Sequence, residues 1–97
     1  YKKELIMIAE QEIEKMVKDG RRKEAIALLE QQLAEFGEEE GILERVGELI
    51  YAEGELAGAL NKFNAVLRLN SDNRKARNYV TMINNILGYY CKDLLNP

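Results

Sequence analysis

The chain has 97 residues, 46% of them hydrophobic and 32% charged, and its formal net charge is −3. These proportions fit one small folded domain and exclude a disordered chain. There is no histidine and only one cysteine, Cys91. Ser-His-Asp and Cys-His catalysis are therefore excluded, and neither a zinc site nor an internal disulfide is expected.

Five α-helices are predicted from runs in which apolar residues recur every three or four positions. Strands are not expected because the sequence lacks clear alternation of apolar and polar residues, and its only proline is the last residue. The predicted helices span about residues 2–18, 22–35, 39–52, 56–69 and 73–95. Because the connections are short, consecutive helices should be antiparallel.

Glycines mark the ends of the first three helices. Gly20, Gly37 and Gly54 each follow a helical run, where a residue in the left-handed backbone region commonly closes a helix. The segment NSDN, at residues 70–73, separates the fourth and fifth helices. It predicts Ser71 or Asp72 as the N-cap of the fifth helix.

Two segments of the chain match each other in their pattern of glycine, alanine and larger apolar residues. DGRRKEAIALLEQQL, at residues 19–33, aligns with EGELAGALNKFNAVL, at residues 53–67, so that Gly20 and Ala25 correspond to Gly54 and Ala59. This offset, the repeat period of the chain, is about 34 residues, and a two-helix unit of that length is typical of helical repeat proteins. Such units stack to bury a shared core.

The chain resembles the tetratricopeptide repeat family. The second unit matches that pattern at Leu43, Val46, Gly47, Tyr51, Gly54, Ala59, Phe63 and Leu67. Leu43 keeps the apolar character of its position but stands where Trp is common, and Ser71 stands where Pro is common. The resemblance implies one domain over residues 1–97, with a first repeat at about 6–39, a second at about 40–73 and a capping helix at about 73–95. It also implies that these units stack as a short superhelical solenoid.

The resemblance also predicts how the paired helices pack. Ala59 is small because the partner helix crosses closely there, and Phe63 fills the gap on the same face. Gly58 has no role in the pattern and is expected only to weaken the start of its helix. Ile13 stands where the second unit has Gly47, so the first pair of helices is not expected to approach as closely.

In tetratricopeptide proteins the first helices of the units line a concave groove that holds a peptide or a partner helix. The resemblance places these residues in that groove: Glu10, Glu14, Glu44, Glu48, Tyr51, Asn78, Met82 and Asn85. The glutamates form two i, i+4 pairs, and the pairs are one repeat period apart. We therefore expect an acidic patch, with Tyr51 and Met82 as apolar anchors.

The charge distribution bears on the partner. Residues 1–56 carry 15 acidic and 8 basic side chains, net −7, whereas residues 57–97 carry 2 acidic and 6 basic ones, net +4. The expected partner is a protein or peptide of basic or mixed charge, and no nucleic acid, membrane or cofactor is expected. Some family members hold an acidic C-terminus with a basic clamp, which this chain matches only at Lys75. The lone cysteine and the absence of a visible signal peptide favour the cytoplasm.

Three other interpretations remain open. In the first, the four glutamates are ordinary solvated residues. In the second, the last helix drives homodimerisation through Tyr89, Tyr90, Leu94 and Leu95, which otherwise pack back on the fourth helix. The third is an enzyme that works through a pair of carboxylates, which we do not expect because no other catalytic group accompanies them.

Overall fold

The computed structural model describes residues 2–95, with side chains from residue 10 to residue 89, and this part of the chain contains five α-helices and no strand. The helices are α1 (Lys2–Lys18), α2 (Arg22–Phe36), α3 (Glu40–Ala52), α4 (Leu56–Leu69) and α5 (Arg74–Leu95). The predicted all-α class with five helices is confirmed, and each predicted boundary lies within one residue of the observed one.

The predicted glycines end the first three helices. Gly20, Gly37 and Gly54 have positive φ angles of 78°, 87° and 85°, a region that other residues enter only with strain. The amide that follows Gly20 donates to the carbonyl of Met16 at 2.8 Å, and the amide that follows Gly54 donates to the carbonyl of Ile50 at 3.2 Å. The ends of α1 and α3 are therefore closed by the same hydrogen bond at corresponding positions of the two units.

The start of α5 differs from the prediction. Asn73 caps this helix, and neither Ser71 nor Asp72 does, because Oδ1 of Asn73 accepts from the amide of Ala76 at 2.9 Å. The other side-chain atom, Nδ2, donates to the carboxylate of Glu40 in α3 at 2.6 Å. This second contact joins residues that are 33 positions apart. A tertiary contact therefore favours Asn73 as the N-cap of α5.

The apolar core runs from helix to helix along the chain. Each helix packs mainly on its neighbours in sequence, and the α3–α4 interface is the most extensive. The largest fully buried side chains are Phe63, Ile13, Leu43, Ile83, Val46 and Val66. The molecule measures 54 × 30 × 21 Å with a radius of gyration of 14.7 Å, compared with about 13 Å for a compact chain of this length. The molecule is thus longer in one direction than a sphere of the same mass.

Two glycines allow α3 and α4 to pack closely. A Cβ atom on Gly47 would lie 3.0 Å from two ring carbons of Phe63, and one on Gly58 would lie 3.2 Å from Cγ2 of Ile50. Both distances are shorter than an ordinary van der Waals contact. The expectation that Gly58 only weakens its helix was therefore wrong, whereas Ala59 and Phe63 are fully buried as predicted.

Candidate partner-binding cleft

The four predicted groove glutamates line one cleft between α1, α2 and α3. Glu10 and Glu14 come from α1, and Glu44 and Glu48 come from α3. The i, i+4 spacing places the two members of each pair on the same side of their helix. The cleft has a volume of about 300 Å³. The structure thus brings together carboxylates from two units that are distant in the sequence.

Arg45 lies among these carboxylates and was missed by the sequence analysis. One terminal nitrogen of its guanidinium is 2.5 Å from Glu14 in α1, and the other is 3.8 Å from Glu48 in α3. A signal was present, because Arg45 is the only basic residue between Lys23 and Lys62. Such an isolated cation in an acidic stretch is a good candidate for an ion pair between helices.

Lys75 brings α5 into the same network. Its ammonium lies 2.8 Å from one oxygen of Glu48 and 3.9 Å from an oxygen of Glu44. Glu44 also accepts a hydrogen bond of 2.9 Å from the side chain of Asn73. Together with Arg45, these contacts connect α1, α3 and α5 along one face of the molecule.

The hydrogen bond to Glu48 raises the pKa of Lys75 above its ordinary value. A raised folded-state pKa means that the pair stabilises the fold below the unfolded-state pKa, about 10.4, and that this contribution is lost as the pH rises through the folded-state pKa. The side chain is 52% exposed, so the contribution is small. Lys75 therefore stays charged at neutral pH.

The inner wall of the cleft is mostly apolar. Ile13, Leu29 and Ile42 line it and are at most 5% exposed. Gln32 is the exception, since it lines the cleft and is only 8% exposed. The Nε atom of Arg45, at the edge of this wall, is buried and has no acceptor among the described residues.

The predicted apolar anchors, Tyr51 and Met82, contact each other but do not line the cleft. The hydroxyl of Tyr51 is 3.7 Å from the sulfur of Met82. The ring of Tyr51 meets that of Tyr79 edge to face at 5.4 Å, and Tyr79 stacks on Phe63 at 4.3 Å. The rings of Phe63, Tyr79 and Tyr51 thus form a row, and Met82 contacts the Tyr51 end of it. Met82 is 39% exposed.

The remaining predicted site residues lie outside the cleft. Asn78 and Asn85 are exposed on α5 and do not line it. Tyr89, in the suggested dimer surface, is 79% exposed. The side chains of Tyr90, Leu94 and Leu95 lie outside the described residues.

Among the described side chains, no group of three or more acidic or cysteine residues is arranged to hold a metal ion. Within residues 2–95, none of the helices combines the length and the apolar character that crossing a bilayer requires.

Comparisons with protein-family models, with curated proteins and with solved structures gave no match for this chain. The resemblance to tetratricopeptide repeats therefore rests on the residues of the sequence alone.

Proposed function

We propose that this chain is a non-catalytic protein-interaction module of the tetratricopeptide type, which holds a basic or mixed peptide or helix against the face formed by α1, α3 and α5. The observation that carries the proposal is the cleft, where, among the described side chains, four glutamates from two helices are accompanied by two cations, Arg45 and Lys75. These four negative and two positive charges give the described lining a charge of −2.

The spacing of the helices supports the assignment to this type. α2 and α4 begin at Arg22 and Leu56, and α3 and α5 begin at Glu40 and Arg74, so the starts in each pair are one repeat period apart. The matching hydrogen bonds in the turns at Gly20 and Gly54 agree with the same period. The ion pairs between alternate helices are those expected when the first helices of successive units lie side by side.

The charge of the cleft favours a cationic partner over an acidic one. A negative concave surface attracts cations from a distance and repels like charge at close range. Arg45 and Lys75 already occupy part of the carboxylate surface, so a basic partner has to compete with them. Binding should therefore be moderate in affinity and should weaken as salt concentration rises.

The proposal is tested with a labelled amphipathic helical peptide that carries lysines at i, i+4 spacing. The double variant Glu10→Lys, Glu14→Lys should weaken its binding by about tenfold or more, measured by fluorescence anisotropy, because favourable charge contacts become repulsive. The matched control is Glu12→Lys, Glu35→Lys, which changes the net charge equally at exposed positions outside the cleft. Equal weakening by both variants, or preference for a glutamate version of the peptide, would contradict the proposal.

Self-association through α5 is the second candidate function, and the exposure of Tyr89 favours it. Sedimentation of the wild-type chain beside Tyr89→Glu distinguishes the two functions. A dimer that this substitution dissociates would support assembly through α5, whereas a monomer at all concentrations would leave the cleft as the working surface.

A further inference from the structure

A second depression, the α2–α4 groove, lies between those two helices and shares no lining residue with the cleft. Both helices pack on α3, and Leu43 of α3 lies at the floor of the groove, where it is 1% exposed. Leu33, Ala34 and Ala65 make the rest of the floor apolar. The groove has a volume of about 420 Å³. It is therefore a surface separate from the proposed peptide site.

The two walls of the α2–α4 groove carry opposite charges. Glu30 in α2 and Glu38 in the α2–α3 turn make one wall acidic. Lys62 and Arg68 in α4 make the other wall basic. Glu30 and Lys62 pair with each other across the groove at 2.7 Å. Glu38 and Arg68 are exposed, and neither has an ion-pair partner among the described residues. One acid and one base are thus left for a partner.

We propose that a second copy of this chain packs on the α2–α4 groove, related to the first by a two-fold axis that runs along the groove. Such an axis places the acidic wall of each copy over the basic wall of the other, so Glu38 of one copy meets Arg68 of the other at two equivalent contacts. The interface is isologous, because both copies use the same surface. A partner of a single charge sign would be attracted by one wall and repelled by the other.

Apolar surface at the edge of the groove adds to this charge match. Leu69 follows Arg68 and is 50% exposed. In the two-fold arrangement α4 of one copy lies over α2 of the other, where Ala34 is exposed, and burying such apolar surface is favourable. The gain is small, because Leu43 and Ala65 at the floor are already buried within one copy. We therefore expect a weak dimer of the size typical of transient contacts.

Charge exchange at the two unpaired positions tests the proposal by sedimentation equilibrium of the 97-residue chain. The wild type should be monomeric at low micromolar concentration and partly dimeric at several hundred micromolar. Arg68→Glu sets acid against acid at both contacts, and Glu38→Lys sets base against base, so each variant alone should dimerise about tenfold more weakly or less. In an equimolar mixture each altered side chain meets an opposite charge. The heterodimer should therefore regain the affinity of the wild type.

Matched controls change the charge equally outside the groove. Arg77→Glu and Glu12→Lys alter exposed residues that do not line it. Each control should dimerise within about twofold of the wild type, and mixing the two should add nothing. Circular dichroism checks that all four variants keep their helicity, and rescue by mixing would itself show that the exchanged variants are folded.

Three results would overturn the inference: a wild type that stays monomeric at every concentration, exchanged variants that mixing does not rescue, or a dimer that only Tyr89→Glu dissociates. The last of these would place the contact on α5 instead. None of them would affect the proposed function, because its test depends on Glu10 and Glu14 in the cleft, which the groove does not include.

Discussion

Gly47 and Phe63 show how a large ring is accommodated between two helices. Phe63 is fully buried and stacked on Tyr79 at 4.3 Å, so the ring has little freedom to move aside. The first unit has neither residue at the corresponding positions. Ile13 stands in place of the glycine and Leu29 in place of the phenylalanine, and both are buried. The second unit thus matches its large aromatic ring with a glycine on the facing helix, whereas the first unit has two aliphatic side chains of similar size.

This matching predicts that Gly47→Ala destabilises the chain. Alanine improves helix propensity by about 1 kcal/mol, but its Cβ would lie 3.0 Å from the ring of Phe63, and overpacking of this kind costs about 1–3 kcal/mol. The steric term should win, with a net loss of about 1 kcal/mol in the free energy of unfolding, measured in urea.

Gly41→Ala is the matched control in the same helix. A Cβ at Gly41 meets no atom within 4 Å, so only the gain in helix propensity remains and stability should rise by about 0.5–1 kcal/mol. If both variants were equally stable, Phe63 would have enough room to move, and the close approach would not be a constraint on this position.

The residues that sequence reasoning identified differ in kind from those that it missed. The turn glycines and the glutamate pairs were predictable because their roles depend on neighbours a few positions away. Gln32 and Arg45 were not, because their importance comes from the packing of separate helices around the cleft. Gln32 in particular looks like any surface glutamine in the sequence, and only its 8% exposure distinguishes it.

At the scale of the helices, Asn73 connects two elements through its two side-chain atoms. Its oxygen caps α5, while its nitrogen donates to Glu40 at 2.6 Å and to Glu44 at 2.9 Å in the first two turns of α3. Asparagine is well suited to this position because it combines an acceptor and a donor in one short side chain.

Asn73→Asp is therefore predicted to destabilise the chain, although aspartate is ordinarily as good an N-cap as asparagine. The new carboxylate keeps the cap but replaces the donor, and it stands against Glu40 and Glu44. We expect a loss of about 1–2 kcal/mol in the free energy of unfolding at neutral pH.

The double variant Asn73→Asp, Glu40→Gln provides the control for this explanation. It replaces the closest carboxylate with an amide that can donate to the new aspartate, so much of the lost stability should return. If Asn73→Asp were as stable as the wild type, the contacts of Asn73 to α3 would contribute nothing to stability beyond the helix cap.

At the scale of the whole molecule, the order of contacts determines how stability is distributed. Each helix packs mainly on its neighbours in sequence, and α3 alone buries six residues, Ile42, Leu43, Val46, Gly47, Leu49 and Ile50. Where consecutive helices make most of the contacts, stability is close to a sum of local terms, and the ends can open while the centre stays folded. A compact chain of this size would instead unfold in one cooperative step.

Substitutions at the two ends should therefore have local effects on amide hydrogen exchange. Ile13 in α1 is 1% exposed and Ile83 in α5 is 0% exposed, so truncation of either to alanine removes comparable buried volume, at a cost of about 2–5 kcal/mol. Ile13→Ala should speed exchange in α1 and α2, and Ile83→Ala should do so in α4 and α5. Each is the control for the other, because equal loss of protection across all helices in both variants would mean that the chain opens as a single unit. The two-ended pattern would mean that the central pair α3–α4 is the most stable part of the chain, on which α1 and α5 pack.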